Sequence, residues 1–210
     1  MDLHAVMGEP GAVVSNALFP LSGYLSLVVK LDDAPGLEVG IVGCEGMLGL
    51  ALVLGGNTMP WHVVVQGAGS ALQIQKRAFN VLLKECPVLR VILQRYAYVM
   101  LAQTGSFAAC NRFHSIYQRL SRWLLMSQDR ANSDSFQMTQ EFLAYMLGVR
   151  RVSITQAATA LQNAHLIEYR RGEIHVLDRA GLETAACHCY ANALGMYGQA
   201  FPHTRPSPHG

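Results

Sequence analysis

The hydrophobic positions change period part-way along the chain. Residues 24–31, 38–42, 47–54, 61–66 and 71–75 are short apolar or alternating runs. Gly and Pro clusters separate them, among them Pro35-Gly36, Gly55-Gly56-Asn57 and Met59-Pro60. Short runs so punctuated predict antiparallel strands of a barrel or sandwich. From Lys76 the period becomes helical. Residues 76–86 predict a short helix, and Pro87 suits the first turn of the next, where its missing N–H would be unpaired anyway. Over residues 88–110, Leu89, Leu93, Tyr96, Met100, Gln103, Phe107 and Cys110 recur at steps of four and three, which makes one seam along a long helix. Val88, Ile92, Val99 and Ala102 form a second apolar set beside it. A helix apolar on more than one side needs two burying surfaces. The predicted pair is the chain's own β-domain and the same helix of a second subunit, with Leu89, Leu93, Tyr96, Met100, Gln103 and Phe107 at the dimer interface. Gly105 weakens the helix locally and predicts a bend.

Residues 113–126 predict another amphipathic helix, with Ile116, Leu120, Trp123 and Leu124 on one face and Arg112, Arg119 and Arg122 elsewhere; 128–135 reads as a polar loop. Thr139 then stands as an N-cap, with Met138 and Leu143 spaced as a hydrophobic staple. A helix follows over 140–147. Gly148 ends it in the left-handed conformation that a sharp turn needs, and a second helix runs over 151–164. At about 100° per residue, Ile154, Ala157, Ala158, Leu161 and Ala164 fall in one inward arc. Val152, Gln156, Thr159 and Asn163 fall opposite, flanked by Arg151 and Thr155. That outer face carries no acid. It offers a guanidinium, amides, hydroxyls and small apolar groups, which are the groups that read base edges in a major groove. Residues 166–170 and 173–177 predict two strands around Arg171-Gly172, a tight hairpin suited to lie as a wing along a phosphate backbone. Taken singly, Arg150, Arg151, Arg170 and Arg171 could be solvated charges; in this order they predict a winged helix-turn-helix.

Composition adds constraints. The chain has 210 residues, of which 51% are hydrophobic and 14% charged, which excludes a disordered or coiled-coil protein. The net charge of +2 is uneven. Residues 1–75 hold one Lys and six acids, whereas residues 111–180 hold nine Arg and six acids, so two modules with different partners are expected. The longest stretch without a charged side chain, 46–75, is interrupted by Gly, Pro and Gln, and spanning a bilayer takes about 20 apolar residues. No signal peptide is read at the start. The five Cys are odd in number and form no CxxC pair. A cytoplasmic protein with reduced thiols and no membrane partner is expected.

The order of parts, with Arg119-Leu120-Ser121-Arg122-Trp123-Leu124-Leu125, then Thr139-Gln140-Glu141-Phe142-Leu143-Ala144 to Gly148-Val149-Arg150-Arg151-Val152-Ser153-Ile154-Thr155, resembles the Crp/Fnr family of bacterial transcription regulators. Residues 166–172 and 177–183 look like its wing and following helix, and 19–27 is similar to an early strand of its cyclic-nucleotide-binding-like β-roll. The resemblance implies an α+β fold: an N-terminal antiparallel β-roll, a long dimerisation helix and a C-terminal winged helix-turn-helix. The chain starts late for the family, so the roll is expected to lack its first helix and strand. The implied divisions are 1–86 for the sensor-like roll, 87–111 for the dimerisation helix, 112–182 for the DNA-binding domain and 183–210 for a C-terminal helix with a disordered tail from Pro202. The implied function is that of a homodimeric regulator on double-stranded DNA, with RNA polymerase as a candidate partner and no catalytic residues. Base-reading positions carry over onto Arg151, Val152 and Gln156. The wider DNA-binding set comprises Thr139, Gln140, Arg150, Ser153, Thr155, Thr159, Arg170 and Arg171. Val152 stands where family members often have an acid, so a different half-site is expected.

The family's nucleotide cassette uses a Gly-Glu pair on the ribose and an Arg on the phosphate. Here Gly49-Leu50 puts Leu at the Glu position, and 59–62 contains no Arg. A buried cyclic phosphate needs a charge-assisted partner, so cAMP is not expected to be the effector; the effector is left unknown, and no cofactor is implied. Cys44 and His62 are expected to be a core thiol and a surface imidazole. Cys187-His188-Cys189 is metal-capable, but neighbours on one helix point about 100° apart and cannot close a four-ligand site alone; incidental thiols and no metal are expected there. Gly67-Ala68-Gly69-Ser70 lacks the Lys of a phosphate-binding loop. The alternative to a DNA-binding regulator is a small-molecule sensor or protein-interaction module that binds no duplex.

Overall fold

A computed structural model describes every residue except 32, 33, 132 and 203–210, and leaves out the side chains of 31, 34 and 35. The expectation of a disordered tail therefore falls mostly outside the described residues. The chain divides into two compact units, residues 1–29 with 39–102, and 30–38 with 103–210. The boundary falls inside the long helix rather than at its ends, where the sequence suggests divisions at 86 and 111.

The first unit is built on antiparallel strands. The strands are β1 (Val6–Gly8), β2 (Asn16–Pro20), β3 (Tyr24–Leu31), β4 (Ala34–Val42), β5 (His62–Gly67) and β6 (Ala71–Gln75). One sheet has the order β1-β5-β3-β4, and β2 pairs with β6 in full register from Asn16↔Gln75 to Pro20↔Ala71. β1 was not legible in the sequence; it is three residues long and lies beside β5. Residues 47–54 do not form the predicted strand. Leu18 and Leu48 exchange backbone hydrogen bonds, but Gly49 turns left-handed (φ 100°) and Leu50–Leu52 form a short 3-10 turn. Met47, Leu48, Leu50 and Leu52 are all buried, so the apolar run marks a buried segment without making it a strand. Tyr24, Leu25, Leu27, Val28, Val63 and Val65 fill the core. Helix α1 (Lys76–Glu85) closes the unit, with Phe79 fully buried and its ring 6.2 Å from Phe19.

Helix α2 (Pro87–Phe113) is followed by α3 (Ile116–Ala131), β7 (Ser135–Gln137), α4 (Gln140–Leu147) and α5 (Arg151–Asn163). Then come β8 (Ile167–Arg170), β9 (Glu173–Val176), α6 (Arg179–Ala185) and α7 (Cys189–Ala200). α3 is the axis of the second unit: every residue from Arg119 to Gln128 is buried. Arg119 and Arg122 are therefore not solvent-facing. Arg119 donates to the carbonyl of Leu147 at the end of α4. Arg122 lies 4.1 Å above the Phe107 ring, a cation–π arrangement. Burial pulls the Arg119 guanidinium down from its usual value, and the thiols of Cys110 and Cys187 pull it back up. Arg179 of α6 donates to Gln128 (2.8 Å), Asp129 (2.7 Å), Glu183 (3.0 Å) and Tyr190 (2.6 Å), tying α3, α6 and α7 together. Burial works against its charge, but Asp129, Tyr190 and Glu183 raise it above the usual value.

The seam assigned to a dimer interface is occupied by the chain itself. Leu93, Tyr96, Met100, Gln103 and Phe107 are buried in a single chain, and Leu89 is half-buried. Tyr96 packs where a Cβ on Gly46 would collide with it, and Met100 packs against Gly40; the Gln103 amide reaches the Ala193 carbonyl. Helical period marks which face is covered but not by what. The face left uncovered carries Val88, Val91, Tyr98 and Leu101. Cys44 and His62 are also the reverse of expectation. Cys44 is exposed, and His62 is buried with its Nδ1 2.9 Å from Glu9.

Candidate nucleic-acid interface

The helix pair α4–α5 is positioned by the local chemistry that the sequence showed. The Thr139 hydroxyl accepts from the Phe142 N–H at 3.1 Å and caps α4. Gly148 ends α4 at φ 62°. The tip of the Leu37 side chain lies 2.9 Å from where a Cβ would stand there, but it is the left-handed backbone that calls for glycine. Ile154, Ala157, Ala158 and Leu161 are buried and anchor α5, whereas Ala164, expected in the same arc, stands at the C-cap and is exposed. Burying four such side chains fixes which face of α5 turns outward.

That outer face is open to solvent. Arg151, Val152, Thr155, Gln156, Thr159 and Asn163 are exposed, as is Arg150 at the N-cap; Ser153 and Gln140 are half-buried. No acid lies on the face. The Thr155 hydroxyl is 2.7 Å from the Gln140 Oε1 and donates to it. This bond ties α4 to α5.

The wing is a two-residue hairpin. β8 and β9 pair from Ile167↔Val176 to Arg170↔Glu173, and Arg171 (φ 51°) and Gly172 (φ 81°) make the turn. Two successive positive φ values are those of a type I′ turn, whose twist matches the strands it joins. The wing is fixed to the start of α4: the Met138 N–H donates to the Gly172 carbonyl, and the Tyr169 hydroxyl donates to the Met138 carbonyl at 2.6 Å. Burial pushes the Tyr169 hydroxyl up to about 12, against the pull of Arg151, so it stays a donor at neutral pH. The Gln162 Oε1 accepts from the Tyr169 N–H at 2.8 Å, fastening β8 to α5. Gln162 and Tyr169 were missed in the sequence; both hold the reading elements in place. The only signal for them was their position beside the helix pair.

Between the start of α4, the flank of α5 and the wing lies an open cleft of about 450 Å³, lined by Thr139, Gln140, Arg151, Thr159, Tyr169 and Arg171 among others. It is positive on two sides. The two wing arginines are not equivalent. Arg170 Nε sits 2.7 Å from Glu168 Oε1, whereas Arg171 has no ion-pair partner among the described residues. The structure thus brings Thr139, Gln140, Arg151, Thr159 and Arg171 around one concave surface, with Thr155 bonded to Gln140 beside it. Val152, Gln156 and Arg150 stand on the exposed side and start of α5.

Residues 118–185 match the Crp-like helix-turn-helix domain family. The fold as a whole is that of the CRP/FNR regulators. A CRP-family transcriptional regulator from Thermus thermophilus superposes with a TM-score of 0.71 at 16% identity, over 89% of this chain and 95% of that one. A second regulator of the CRP/FNR family from the same organism gives 0.69 at 18% identity, over 89% and 96%. The c-di-GMP responsive global regulator CLP of Xanthomonas campestris gives 0.66 at 16% identity, over 85% and 92%. A search of curated proteins returns no match. The Crp-like domain and the shared fold support a DNA-binding transcription regulator. No helix among the described residues is long and apolar enough to cross a membrane.

Proposed function

We propose that this chain is a sequence-specific transcription regulator that binds double-stranded DNA as a homodimer, with α5 in the major groove and the wing on the backbone. The observation that carries this reading is the acid-free outer face of α5 beside Arg171, which has no ion-pair partner among the described residues. A face built for solvent alone carries Glu and Lys; this one offers amides, hydroxyls and guanidinium at base-edge height. Arg151, Val152 and Gln156 read bases. Thr139, Gln140, Arg150, Ser153, Thr155, Thr159, Arg170 and Arg171 hold the backbone and set the register. Catalysis forms no part of this reading.

The second subunit sits on the uncovered face of α2, at Val88, Val91, Tyr98 and Leu101, rather than on the seam buried within one chain. Twofold symmetry then presents two copies of α5 to half-sites about one helical turn apart. RNA polymerase is the natural downstream partner of such a complex.

The first unit does not take cAMP in this reading. Residues 1–29 and 39–75 contain no Lys or Arg at all. Leu50 is buried in the 3-10 turn, and His62 is already engaged by Glu9. A cyclic phosphate would enter that site without a cation.

Selection of bound duplexes from a random pool at physiological salt tests the whole reading. Enrichment of an inverted repeat supports it, and recovery of unenriched sequence rejects it. Repeating the selection with cAMP should change neither affinity nor consensus; a cAMP-dependent gain would overturn the assignment for the first unit.

A further inference from the structure

Four side chains outside the DNA-facing surface meet inside the second unit. Cys110 lies in the last turns of α2. His114 follows one turn later, its N–H donating to the Cys110 carbonyl at 3.1 Å, so the two side chains leave the same helical face. Cys187 and Cys189 come from the turn between α6 and α7. Ala186 is extended there (φ −73°, ψ 158°), the Tyr190 N–H donates to the Cys187 carbonyl, and Cys189 opens α7. Cys187 therefore precedes the helix instead of standing on it. The 100° divergence that argues against neighbouring ligands on one helix does not apply. Cys110 Sγ is 3.5 Å from Cys187 Sγ, and Cys189 Sγ is 3.6 Å from His114 Nδ1. All four donor atoms lie within 4.8 Å of one another.

We propose that Cys110, His114, Cys187 and Cys189 form a closed tetrahedral site for one zinc-class divalent ion. Metal–sulfur bonds of about 2.3 Å and metal–nitrogen bonds of about 2.0–2.1 Å at tetrahedral angles place sulfurs about 3.8 Å apart and sulfur and nitrogen about 3.6 Å apart. The two spacings above lie close to that figure, and the widest pair, within 4.8 Å, would draw in around a bound ion. They are too wide for a disulfide, whose sulfurs stand about 2.05 Å apart. They are too tight for an iron–sulfur cluster, whose bridging sulfides spread the cysteine ligands further. Three thiolates and one imidazole are a soft donor set that selects zinc over magnesium or calcium.

Burial and charge support the same assignment. The three thiols are buried and His114 is half-buried, which leaves an entry path at one corner and no open coordination position. Three thiolates around a doubly charged ion leave one net negative charge. Arg122 is 4% exposed, its charge acts on both Cys110 and Cys187, and its Nε has no hydrogen-bond partner among the described residues. The acceptor that its Nη1 reaches is a weak one, the Met126 sulfur at 3.5 Å. A buried guanidinium so poorly partnered is balanced by an anionic site next to it. The ion would staple the end of α2 to the α6–α7 turn within one unit. It is a structural site, and it stands independently of DNA binding.

The test uses the full chain, purified under reducing conditions without chelator. Mass spectrometry should find about one zinc per chain. The Cys44→Ser/Cys86→Ser double variant, which removes the two thiols outside the cluster, should keep it. Cys110→Ser and Cys189→Ser should lose it. Because those variants can fail to fold, the metal-stripped parent chain is also titrated with cobalt(II). Saturation at one equivalent, with thiolate charge-transfer and tetrahedral ligand-field bands that zinc displaces, is the expected result. An octahedral, thiolate-free cobalt spectrum overturns the proposal, and so does zinc content unchanged by Cys110→Ser.

Discussion

Replacing Arg171 by Asn separates charge from fold at the wing. Arg171 occupies the left-handed region (φ 51°) ahead of Gly172 (φ 81°), and Asn-Gly is the preferred pair for a two-residue type I′ turn. The substitution therefore removes a guanidinium while relieving backbone strain, and the variant should melt no lower than the parent. Any loss of binding then belongs to the charge. A phosphate contact contributes about 0.9 to the slope of log affinity against log salt, so a dimer that loses two contacts should bind with a slope shallower by about 1.8. Between about 50 and about 200 mM salt the parent's advantage over the variant should shrink by about tenfold. Fluorescence anisotropy on a labelled duplex, repeated across that range for both proteins, reads the slope directly. Arg170→Asn should change it less, because Arg170 is already paired with Glu168 at 2.7 Å. Parallel salt lines for the parent and Arg171→Asn would refute the placement of the wing on the backbone.

Other outcomes test the packing behind the site. Leu161 is fully buried beneath α5, and Leu161→Ala should destabilise the unit by about 2–5 kcal/mol in urea unfolding, whereas the exposed Thr159→Ala should leave the midpoint within experimental scatter. Tyr98→Glu with Leu101→Glu places charge on the uncovered face of α2 and should convert a dimer to a monomer in sedimentation; Leu93→Ala, on the buried seam, should lower stability without changing the oligomeric state. Arg179→Met leaves Asp129, Glu183 and Gln128 without their shared donor, and should cost about 2–3 kcal/mol in thermal or urea unfolding, the scale of hydrogen bonds to charged groups.

The helix-turn-helix was legible because its signals are local. Thr139, Gly148 and the arc from Ile154 to Leu161 each act within a few residues, and each stands where its chemistry required. The wing was legible for the same reason, from Arg171-Gly172 between two alternating runs. What failed depended on distant partners. The run at 47–54 was continuously apolar like a buried strand, but Gly49 bent it, and within it Leu48 makes a bridge to a strand, at Leu18. The α2 seam had the right period and the wrong covering surface. Arg119 and Arg122 could be placed off the apolar face of their helix, but not the carbonyl of Leu147 and the Phe107 ring that face them in the fold. The four metal-capable side chains were divided between positions 110–114 and 187–189, and no spacing rule joins two such distant pairs.

The central claim is that the outer surface of α5 touches bases. The base preferences of the parent and of Gln156→Ala, each taken from a fully randomised duplex pool, test it most directly. The Gln156 side chain is exposed and Thr155 beside it is anchored to Gln140, so truncation should leave the helix in place. The parent consensus should be an inverted repeat. The variant should lose preference at one symmetry-related pair of positions, by about 1–3 kcal/mol each, with the rest unchanged. Identical profiles from the two proteins would contradict the contact between this helix and the bases.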